Sequence, residues 1–152
     1  MGPAAVAIEK VGPTTTSELL PLTRAYCDFY GVRPRDDQLV ALSRALLDDP
    51  SEGVQLLARS EAVAVGFATI YWSWSTLDAG RVGLLHDLYV IPDLRARGVG
   101  RSLIEASREA CRKRGVPKLT WDTAPDNLPA QRLYDSIGAE RSSWINYEIG
   151  TW

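Results

Sequence analysis

Side chains that bind zinc through sulfur or imidazole are scarce in this sequence. Its 152 residues include two cysteines, Cys27 and Cys111, and one histidine, His86. A zinc site built from cysteine and histidine needs about four such ligands. We therefore expect no metal site, and we expect both thiols to be reduced and to lie in the core.

Long apolar runs and an excess of one charge are also missing. The longest weakly polar stretch, residues 62–72, has about half of the ~20 residues that a membrane-spanning helix needs. No charged segment precedes an apolar one near the N-terminus, so no signal peptide is predicted. The 17 basic and 19 acidic residues leave a net charge of −2, which gives no indication of a nucleic-acid partner. We expect a cytoplasmic protein with neither a membrane nor a nucleic acid as partner.

The composition, 45% apolar and 24% charged, is ordinary for a globular protein. The length predicts one domain over residues 1–152. Apolar spacing and turn residues predict strands at 6–11, 54–59, 63–74, 81–91, 118–123 and 142–149, and helices at 19–30, 36–50, 98–114 and 127–137. Because strands and helices alternate in the second half, some strands must pair in parallel. The sequence therefore predicts an α/β fold with a mixed sheet.

The most informative segment, residues 90–101, joins a predicted strand to a predicted helix and reads V-I-P-D-L-R-A-R-G-V-G-R. Gly98 and Gly100 allow the backbone to turn tightly and to approach a ligand, and the start of the following helix offers free N–H groups and a partial positive charge. The segment also carries three arginines, Arg95, Arg97 and Arg101. The pattern R-x-x-G-x-G lacks the third glycine of a dinucleotide-binding fingerprint and the lysine of a P-loop. It predicts a site for a phosphate or pyrophosphate, with a turn that binds nothing as the alternative.

A second segment, residues 126–138, opens a predicted helix about one crossover later in the chain. Ala130, Leu133, Tyr134 and Ile137 share one face of that helix. This spacing predicts that Tyr134 points inward, beside the sheet.

Together the two segments resemble the GNAT superfamily of N-acetyltransferases, which use acetyl-CoA; the resemblance is strongest from about Val65 to Tyr147. The pyrophosphate-loop pattern of that superfamily is matched by Arg95, Gly98 and Gly100, and its second cofactor motif by Asn127, Ala130, Leu133, Tyr134 and Gly138. Within the superfamily, residues 85–90 and the tryptophan-rich strand before them are similar to the diamine and polyamine acetyltransferases and to the yeast histone and D-amino-acid acetyltransferases.

The resemblance implies a mostly antiparallel central sheet of about six or seven strands with about four flanking helices, in the order β-α-α-β-β-β-α-β-α-β-β. It also implies acetyl-CoA as co-substrate, with its pantetheine arm paired to the backbone of residues 88–90. The residues that it assigns to acetyl-CoA are Leu88, Tyr89, Val90, Arg95, Ala96, Arg97, Gly98, Val99, Gly100, Arg101, Asn127 and Ala130.

Acetyl transfer from a thioester to an amine requires two proton transfers. A primary amine with a pKa near 10 is almost fully protonated at pH 7, so a group must remove its proton, and the departing thiolate needs one. The superfamily places a tyrosine at the position of Tyr134 to protonate the thiolate. The alternative is a core tyrosine on an amphipathic helix.

His86 and Asp87 are the candidates for the base or for contacts with the acceptor. In the diamine acetyltransferases a glutamate stands at the position of His86, followed by the same aspartate. A histidine can be a neutral base at pH 7, but it cannot balance a second ammonium group as a glutamate would, so this difference argues against polyamine specificity. Because side chains alternate along a strand, we expect only one of the two to face a given side of the sheet. A structural histidine is the alternative.

Aromatic residues are numerous, with five tryptophans in the chain. The set Tyr71, Trp72, Trp74 and Trp144 either packs in the core or a dimer interface, or forms the wall of a pocket that attracts an ammonium group. We assign acceptor binding to Tyr30, Trp72 and Trp74.

The sequence thus predicts an N-acetyltransferase that acts on a primary amine of a small molecule by direct attack in a ternary complex, since neither cysteine lies in a motif at the thioester. A protein lysine or N-terminal acetyltransferase and a non-catalytic acyl-CoA-binding or sensing domain are the alternatives. The resemblance and the surplus of aromatic residues near the C-terminus, Trp144, Tyr147 and Trp152, predict a homodimer.

Overall fold

Five strands and four α-helices make up the part of the chain that a computed structural model describes, residue 2 and residues 4–152. In chain order they are β1 (Ala7–Lys10), α1 (Thr16–Phe29), α2 (Asp36–Asp48), β2 (Gly53–Ser60), β3 (Val63–Ser75), β4 (Gly80–Val90), α3 (Val99–Lys113), β5 (Leu119–Thr120) and α4 (Leu128–Ser136), with a short 3₁₀ turn at Pro92–Leu94. The chain divides into two compact units, residues 1–122 and 123–152. All five strands lie in the first unit and α4 lies in the second. A single domain over residues 1–152 stays a prediction.

The strands form one mixed sheet in the order β1-β2-β3-β4-β5. Neighbouring strands from β1 to β4 pair antiparallel, and β5 pairs parallel with β4. The parallel pair needs a long crossover, which α3 supplies. The predicted α/β class, the mixed sheet and the four helices are confirmed.

The predicted number of six or seven strands is wrong for the described residues, which contain five. The expected strand at 142–149 is absent: residues 139–152 contain no helix or strand. Ile145, Tyr147 and Ile149 alternate with polar residues as in a strand, but a strand also needs a hydrogen-bonded partner. All three side chains are more than three-quarters exposed. The predicted strand at 118–123 is reduced to the two residues of β5.

Helix α3 packs on one face of the sheet through its buried residues Val99, Leu103, Ile104, Ser107 and Cys111. Two glycines permit this close approach. A Cβ on Gly83 of β4 would lie 2.7 Å from Sγ of Cys111, and a Cβ on Gly66 of β3 would lie 2.7 Å from the carbonyl oxygen of Tyr89 and 3.3 Å from the side chain of Leu103. Small residues in the strands therefore fix how closely α3 lies against the sheet.

Helix α1 covers the opposite face. The core between them is formed by Val11, Leu19, Leu22, Leu57, Phe67 and Tyr89. Because side chains alternate along a strand, Thr69 and Tyr71 of β3 share this face with Phe67. Asp87 of β4 stands directly opposite Thr69, so it also lies on the α1 face.

Within residue 2 and residues 4–152, no helix is both long enough and apolar enough to cross a membrane. The same residues contain no group of three or more histidine, cysteine, aspartate or glutamate side chains that could hold a metal ion.

Candidate active site

The loop between β4 and α3 ends on an open helix N-terminus. Gly98 precedes the helix with φ = 89°, a left-handed conformation that glycine adopts without the steric cost of a Cβ. The first backbone hydrogen bond of the helix runs from the N–H of Ser102 to the carbonyl of Gly98 over 3.0 Å. No side chain in the described part of the chain caps this end, so the N–H groups of Val99, Gly100 and Arg101 have no intrahelical partner. They form a site that favours an anion.

The three predicted arginines lie at different places around this loop. Arg95 folds back onto the end of β4, where its Nε donates to the carbonyl of Val90 over 2.9 Å. Its guanidinium carbon also lies 5.5 Å from the ring centres of Phe29 and Tyr89. Arg97 donates from Nε to the carbonyl of Gly2 at 3.4 Å, and the side chain of Arg101 is exposed. Ala96, between the first two, has φ = 60°, so the loop contains two left-handed residues.

One edge of β4 is open over its second half. β5 pairs only with Gly83 and Leu84, and none of the described strands pairs with residues 85–90 on that side. The N–H of Ile91 donates to the carbonyl of Val65 in β3 over 2.9 Å, so by alternation the main-chain groups of Val90 and Leu88 point toward the open edge, whereas those of Tyr89 face β3. Because Arg95 already donates to the carbonyl of Val90, the backbone groups left for a ligand at this edge are those of Leu88 and the N–H of Val90.

A β-bulge at His86 interrupts the second half of β4. Thr69 of β3 pairs with Asp87, and the next residue, Ile70, pairs with Leu85, so His86 has no partner. A bulge places two consecutive residues opposite one residue and re-aims their side chains. Nδ1 of His86 lies 3.5 Å from Oδ1 of Asp87. The expectation that only one of the two faces a given side is therefore wrong, because the extra residue breaks the alternation.

His86 and Asp87 differ in their exposure. The imidazole is 61% exposed, whereas the Asp87 side chain is only 17% exposed. The ring of Tyr71 lies 5.4 Å from that of His86, and the hydroxyl of Tyr26, from α1, lies 3.5 Å from the carbonyl oxygen of His86. Among the described residues, no lysine or arginine forms an ion pair with Asp87. The site is therefore a shielded carboxylate bordered by tyrosines, next to an accessible imidazole.

The surroundings of Asp87 affect both tyrosines. Burial, and next the negative charge of Asp87, raise the pKa of Tyr26 above its usual range. The same two causes raise the pKa of Tyr71. Both phenols therefore stay protonated throughout the physiological pH range and act as hydrogen-bond donors.

The residues assigned to acceptor binding are not all brought together. Tyr30 is half-exposed, and its ring contacts that of Tyr26 edge-on at 5.1 Å. Trp72 is only 5% exposed and packs on the α3 face, with the guanidinium of Arg114 4.9 Å from its ring centre. Trp74 is exposed and stacks with Arg81, but it lies four residues beyond Ile70, about 13 Å along β3. Tyr30 is thus joined to the bulge only through Tyr26, and among the described residues no contact joins either tryptophan to His86 or Asp87.

An open pocket of about 430 Å³ lies next to this cluster and shares Tyr71 with it. The pocket is lined by Asp49, Ser51, Glu52, Tyr71, Trp72 and Arg81. Hydrogen bonds from the hydroxyl and the backbone N–H of Ser51 lower the pKa of Asp49. Asp49 and Glu52 outweigh the single positive charge of Arg81, so the pocket is negative at neutral pH.

The second predicted motif lies in the unit formed by residues 123–152. Asn127 caps α4, because its Oδ1 accepts a hydrogen bond from the N–H of Ala130 over 3.3 Å. Tyr134 is part-buried on this helix. The roles assigned to Asn127, Ala130 and Tyr134 stay predictions.

The sequence reasoning missed Tyr26. It falls within the predicted helix at 19–30, and the structure packs it, partly buried, against Phe67 and Tyr89 of the core. Its hydroxyl nevertheless reaches the bulge on β4. The one available signal was the pair of tyrosines at positions 26 and 30, four residues apart on one helical face.

Comparison with known proteins places these features in a family. The profile of the Acetyltransferase (GNAT) family matches residues 19–139. The chain is 28% identical over 141 residues to the uncharacterized N-acetyltransferase YhfO of Bacillus subtilis, with 92% of this chain and 94% of that protein covered. It is 30% identical over 92 residues to the aminoglycoside N(6')-acetyltransferase type 1 of Salmonella typhimurium, with 59% of this chain and 63% of that protein covered.

Solved structures show the same fold over nearly the whole chain. The ribosomal-protein-alanine N-acetyltransferase of Brucella melitensis superposes with a TM-score of 0.79 at 26% identity, covering 97% of this chain and 100% of that one. The aminoglycoside acetyltransferase AAC(6')-Iy, in complex with a CoA-containing bisubstrate analog, superposes with a TM-score of 0.85 at 22% identity, covering 98% of this chain and 100% of that one.

Proposed function

Because this chain belongs to the GNAT acetyltransferase family and is an acetyl-CoA-dependent acyltransferase, we propose that it acetylates a primary amine of a small, cationic molecule by direct attack in a ternary complex. The observation that carries this proposal is the bulge at His86, which sets an accessible imidazole beside a shielded carboxylate on the α1 face. The bulge interrupts the same half of β4 whose backbone is open for a ligand.

The first unit fits acetyl-CoA at two places. The N–H groups at the start of α3 suit the pyrophosphate, and the main-chain groups of Leu88 together with the N–H of Val90 suit the peptide-like pantetheine arm. Arg97 and Arg101 add positive charge at the loop. We assign Asn127 and Ala130 to the same co-substrate on the family pattern. Acetyl-CoA supplies the activated acetyl thioester.

The proton transfers fall to three side chains. His86 accepts a proton from the acceptor ammonium, because an exposed neutral imidazole is a suitable base near pH 7. The carboxylate of Asp87 holds the acceptor nitrogen and balances the imidazolium that forms. Tyr134 donates its phenolic proton to the departing thiolate.

Direct transfer is favoured over an acetylated cysteine. Cys27 and Cys111 are both buried, and burial raises the pKa of each thiol. A neutral, buried thiol is a poor nucleophile. The chain therefore has no activated thiol among the described residues to carry the acetyl group.

A positive charge on the acceptor is supported by the charges around the site. Asp87 has no lysine or arginine partner within the described ranges, and its negative charge acts on both Tyr26 and Tyr71. Aromatic faces and a shielded carboxylate together favour a cation. The negative pocket at Asp49 and Glu52, reached across Tyr71, suits a second amino group. This charge pattern agrees with the diamine and polyamine branch that residues 85–90 resemble, and with the aminoglycosides after which several relatives are named.

A protein substrate is the second candidate, because the structure superposes well with a ribosomal-protein-alanine N-acetyltransferase. A non-catalytic acyl-CoA sensor is the third. Both are decided by the same experiment. Purified protein and acetyl-CoA are incubated with diamines, polyamines, aminoglycosides, amino acids and basic peptides, while released CoA thiol is measured and products are identified by mass spectrometry.

We expect a di- or polycationic small amine to give the highest kcat/KM, and His86→Gln to lose that turnover. Acetylation of peptides alone would instead support a protein acetyltransferase. CoA binding without turnover on any amine would support a sensor.

We further propose that the protein is a homodimer that covers residues 139–152. This segment exposes five large apolar side chains, Trp144, Ile145, Tyr147, Ile149 and Trp152, each more than three-quarters accessible. Such a concentration of exposed apolar side chains marks an interaction surface. Light scattering at micromolar concentration should give twice the chain mass of 16.7 kDa; the mass of a single chain would contradict the dimer.

A further inference from the structure

Tyr26 of α1 is the one side chain from a helix of the first unit whose polar group reaches the bulge among the contacts described. We propose that Tyr26 is a positioning residue for acetyl transfer: its hydroxyl orients the Asp87 carboxylate toward the acceptor amine. This proposal rests on the proposed function, in which Asp87 holds the acceptor nitrogen.

The ring of Tyr26 is held by its neighbours. It contacts Tyr30 at 5.1 Å, Phe67 at 5.7 Å and Tyr89 at 6.3 Å between ring centres, each edge-on. Edge-on contacts from three sides leave the ring little freedom to rotate away. The hydroxyl is therefore delivered to a fixed place above β4.

That place lies at the bulge. The hydroxyl is 3.5 Å from the carbonyl oxygen of His86, and the adjacent Asp87 carboxylate lies on the same face and contributes to the raised pKa of Tyr26. Since the phenol stays protonated, it donates to these acceptors, and a donor on one carboxylate oxygen fixes which oxygen remains for the acceptor amine. The backbone position of the bulge and the orientation of its carboxylate are thus set by one hydroxyl.

Few other groups compete for Asp87. From α1, the titratable side chains that interact with its charge are Tyr26 and Cys27; from β3 it is Tyr71; and from β4 it is His86. Of these, only the imidazole can become positive. Removal of the Tyr26 hydroxyl therefore leaves the carboxylate free to turn toward His86.

The first test is a double-mutant cycle with Tyr26→Phe and Asp87→Asn, using the best acceptor from the amine screen. If the hydroxyl acts through Asp87, Tyr26→Phe should lower kcat/KM for the acceptor about ten- to a hundredfold in the native background. The same substitution should change kcat/KM by less than about twofold when Asp87 is already Asn. The Kd for CoA should stay constant. Equal losses in both backgrounds would show a structural role alone and would overturn the proposal.

A matched control is Thr23→Val, which removes another hydroxyl from α1. Thr23 is buried, and its Oγ1 donates only to the carbonyl of Leu20 within the helix. Its loss should leave kcat/KM unchanged. A decrease equal to that of Tyr26→Phe would mean that any lost hydroxyl on α1 disturbs the site, which contradicts a specific role for Tyr26.

A second readout needs no acceptor and uses the single histidine. Its ring C–H signal is unique in the proton NMR spectrum, so its titration reports on the bulge alone. Tyr26→Phe should move the titration midpoint to higher pH, because the released carboxylate pairs more closely with the imidazolium. Asp87→Asn should move it to lower pH, and Tyr26→Phe should then add nothing. An unchanged midpoint in Tyr26→Phe would overturn the proposal, even if no amine is acetylated and the proposed function fails.

Discussion

The two halves of β4 have the same strand conformation but opposite surroundings. Gly83 and Leu84, in the first half, pair with β3 on one side and β5 on the other. Residues 85–90, in the second half, pair only with β3, and the bulge at His86 breaks even that register. Gly83 in the first half packs against α3, whereas the second half has free backbone groups together with His86 and Asp87.

This difference shows where a sheet can bind a ligand. A strand that is paired on both edges has no backbone hydrogen-bonding groups left for a ligand. An unpaired edge, in contrast, offers both donors and acceptors to an extended molecule. A bulge next to that edge re-aims side chains without ending the strand. We therefore expect substitutions in the two halves to affect different properties.

The largest effect is expected outside β4, because neither half of the strand supplies an acid for the departing thiolate. Tyr134→Phe removes one hydroxyl, so kcat should fall about 10²–10⁴-fold while the Kd for CoA stays constant. The alkaline limb of the pH–rate profile should change as well. Steady-state kinetics and calorimetry check both. A Phe variant with native kcat, when chemistry is rate-limiting, would place the acid elsewhere.

The next largest effect concerns the loop that follows the open half. Gly98→Val places a branched side chain at φ = 89° against the anion site, so CoA should bind at least about tenfold more weakly. Gly115→Val is the matched control, since Gly115 follows the other end of α3 with φ = 69° and has open space around it. Calorimetry should show weaker binding only for the first variant. Equal CoA affinities in the two variants would show that the loop is not part of the CoA-binding site.

A smaller effect should come from the paired half, and it should concern stability. Gly83→Ala brings a Cβ to 2.7 Å from Sγ of Cys111, which should cost about 1–3 kcal/mol of unfolding free energy. Gly80→Ala, on the same strand with no atom nearer than 3.9 Å, should be close to neutral. Urea unfolding measures both. If Gly83→Ala also abolished CoA binding in a folded protein, the claim that the first half of β4 affects stability and the second half affects ligand binding would be wrong.

The smallest effect is the response of stability to alkaline pH. Burial, and next the charge of Asp87, raise the pKa of Tyr26 above its value of 10.0 in an unfolded chain. The folded protein therefore retains a proton that the unfolded chain loses, so this contribution is complete below about pH 10 and declines above it. Unfolding free energies measured on either side of pH 10 should decline less in Tyr26→Phe than in the wild type. A steeper decline in the variant would contradict the sign.

Local patterns in the sequence predicted the loop and its helix well. The glycine pair at positions 98 and 100 and the apolar face of α3 are encoded within a few residues, and the structure has both. The bulge at His86 was not predictable in this way. It depends on the register between β3 and β4, and the residue pattern of one strand does not specify how that strand pairs with its neighbour. Strand alternation alone gave the wrong relation between His86 and Asp87.

Three other failures have the same origin. Tyr26 falls within the predicted helix at 19–30, but its contact with β4 is made across 60 residues of chain. Residues 142–149 have the alternation of a strand, yet pairing depends on a partner that no local pattern specifies. Trp72 and Trp74 are assigned to acceptor binding by their aromatic character, whereas their burial and position along β3 follow from tertiary packing.

The central claim is that the open half of β4 brings the acetyl-CoA site and the acceptor base together. It is tested most directly by measuring kcat/KM for the best acceptor amine and the Kd for CoA in His86→Gln and in the wild type. We predict a loss of about a hundredfold or more in kcat/KM with a Kd for CoA within about twofold of the wild type. Native turnover by His86→Gln would contradict the account.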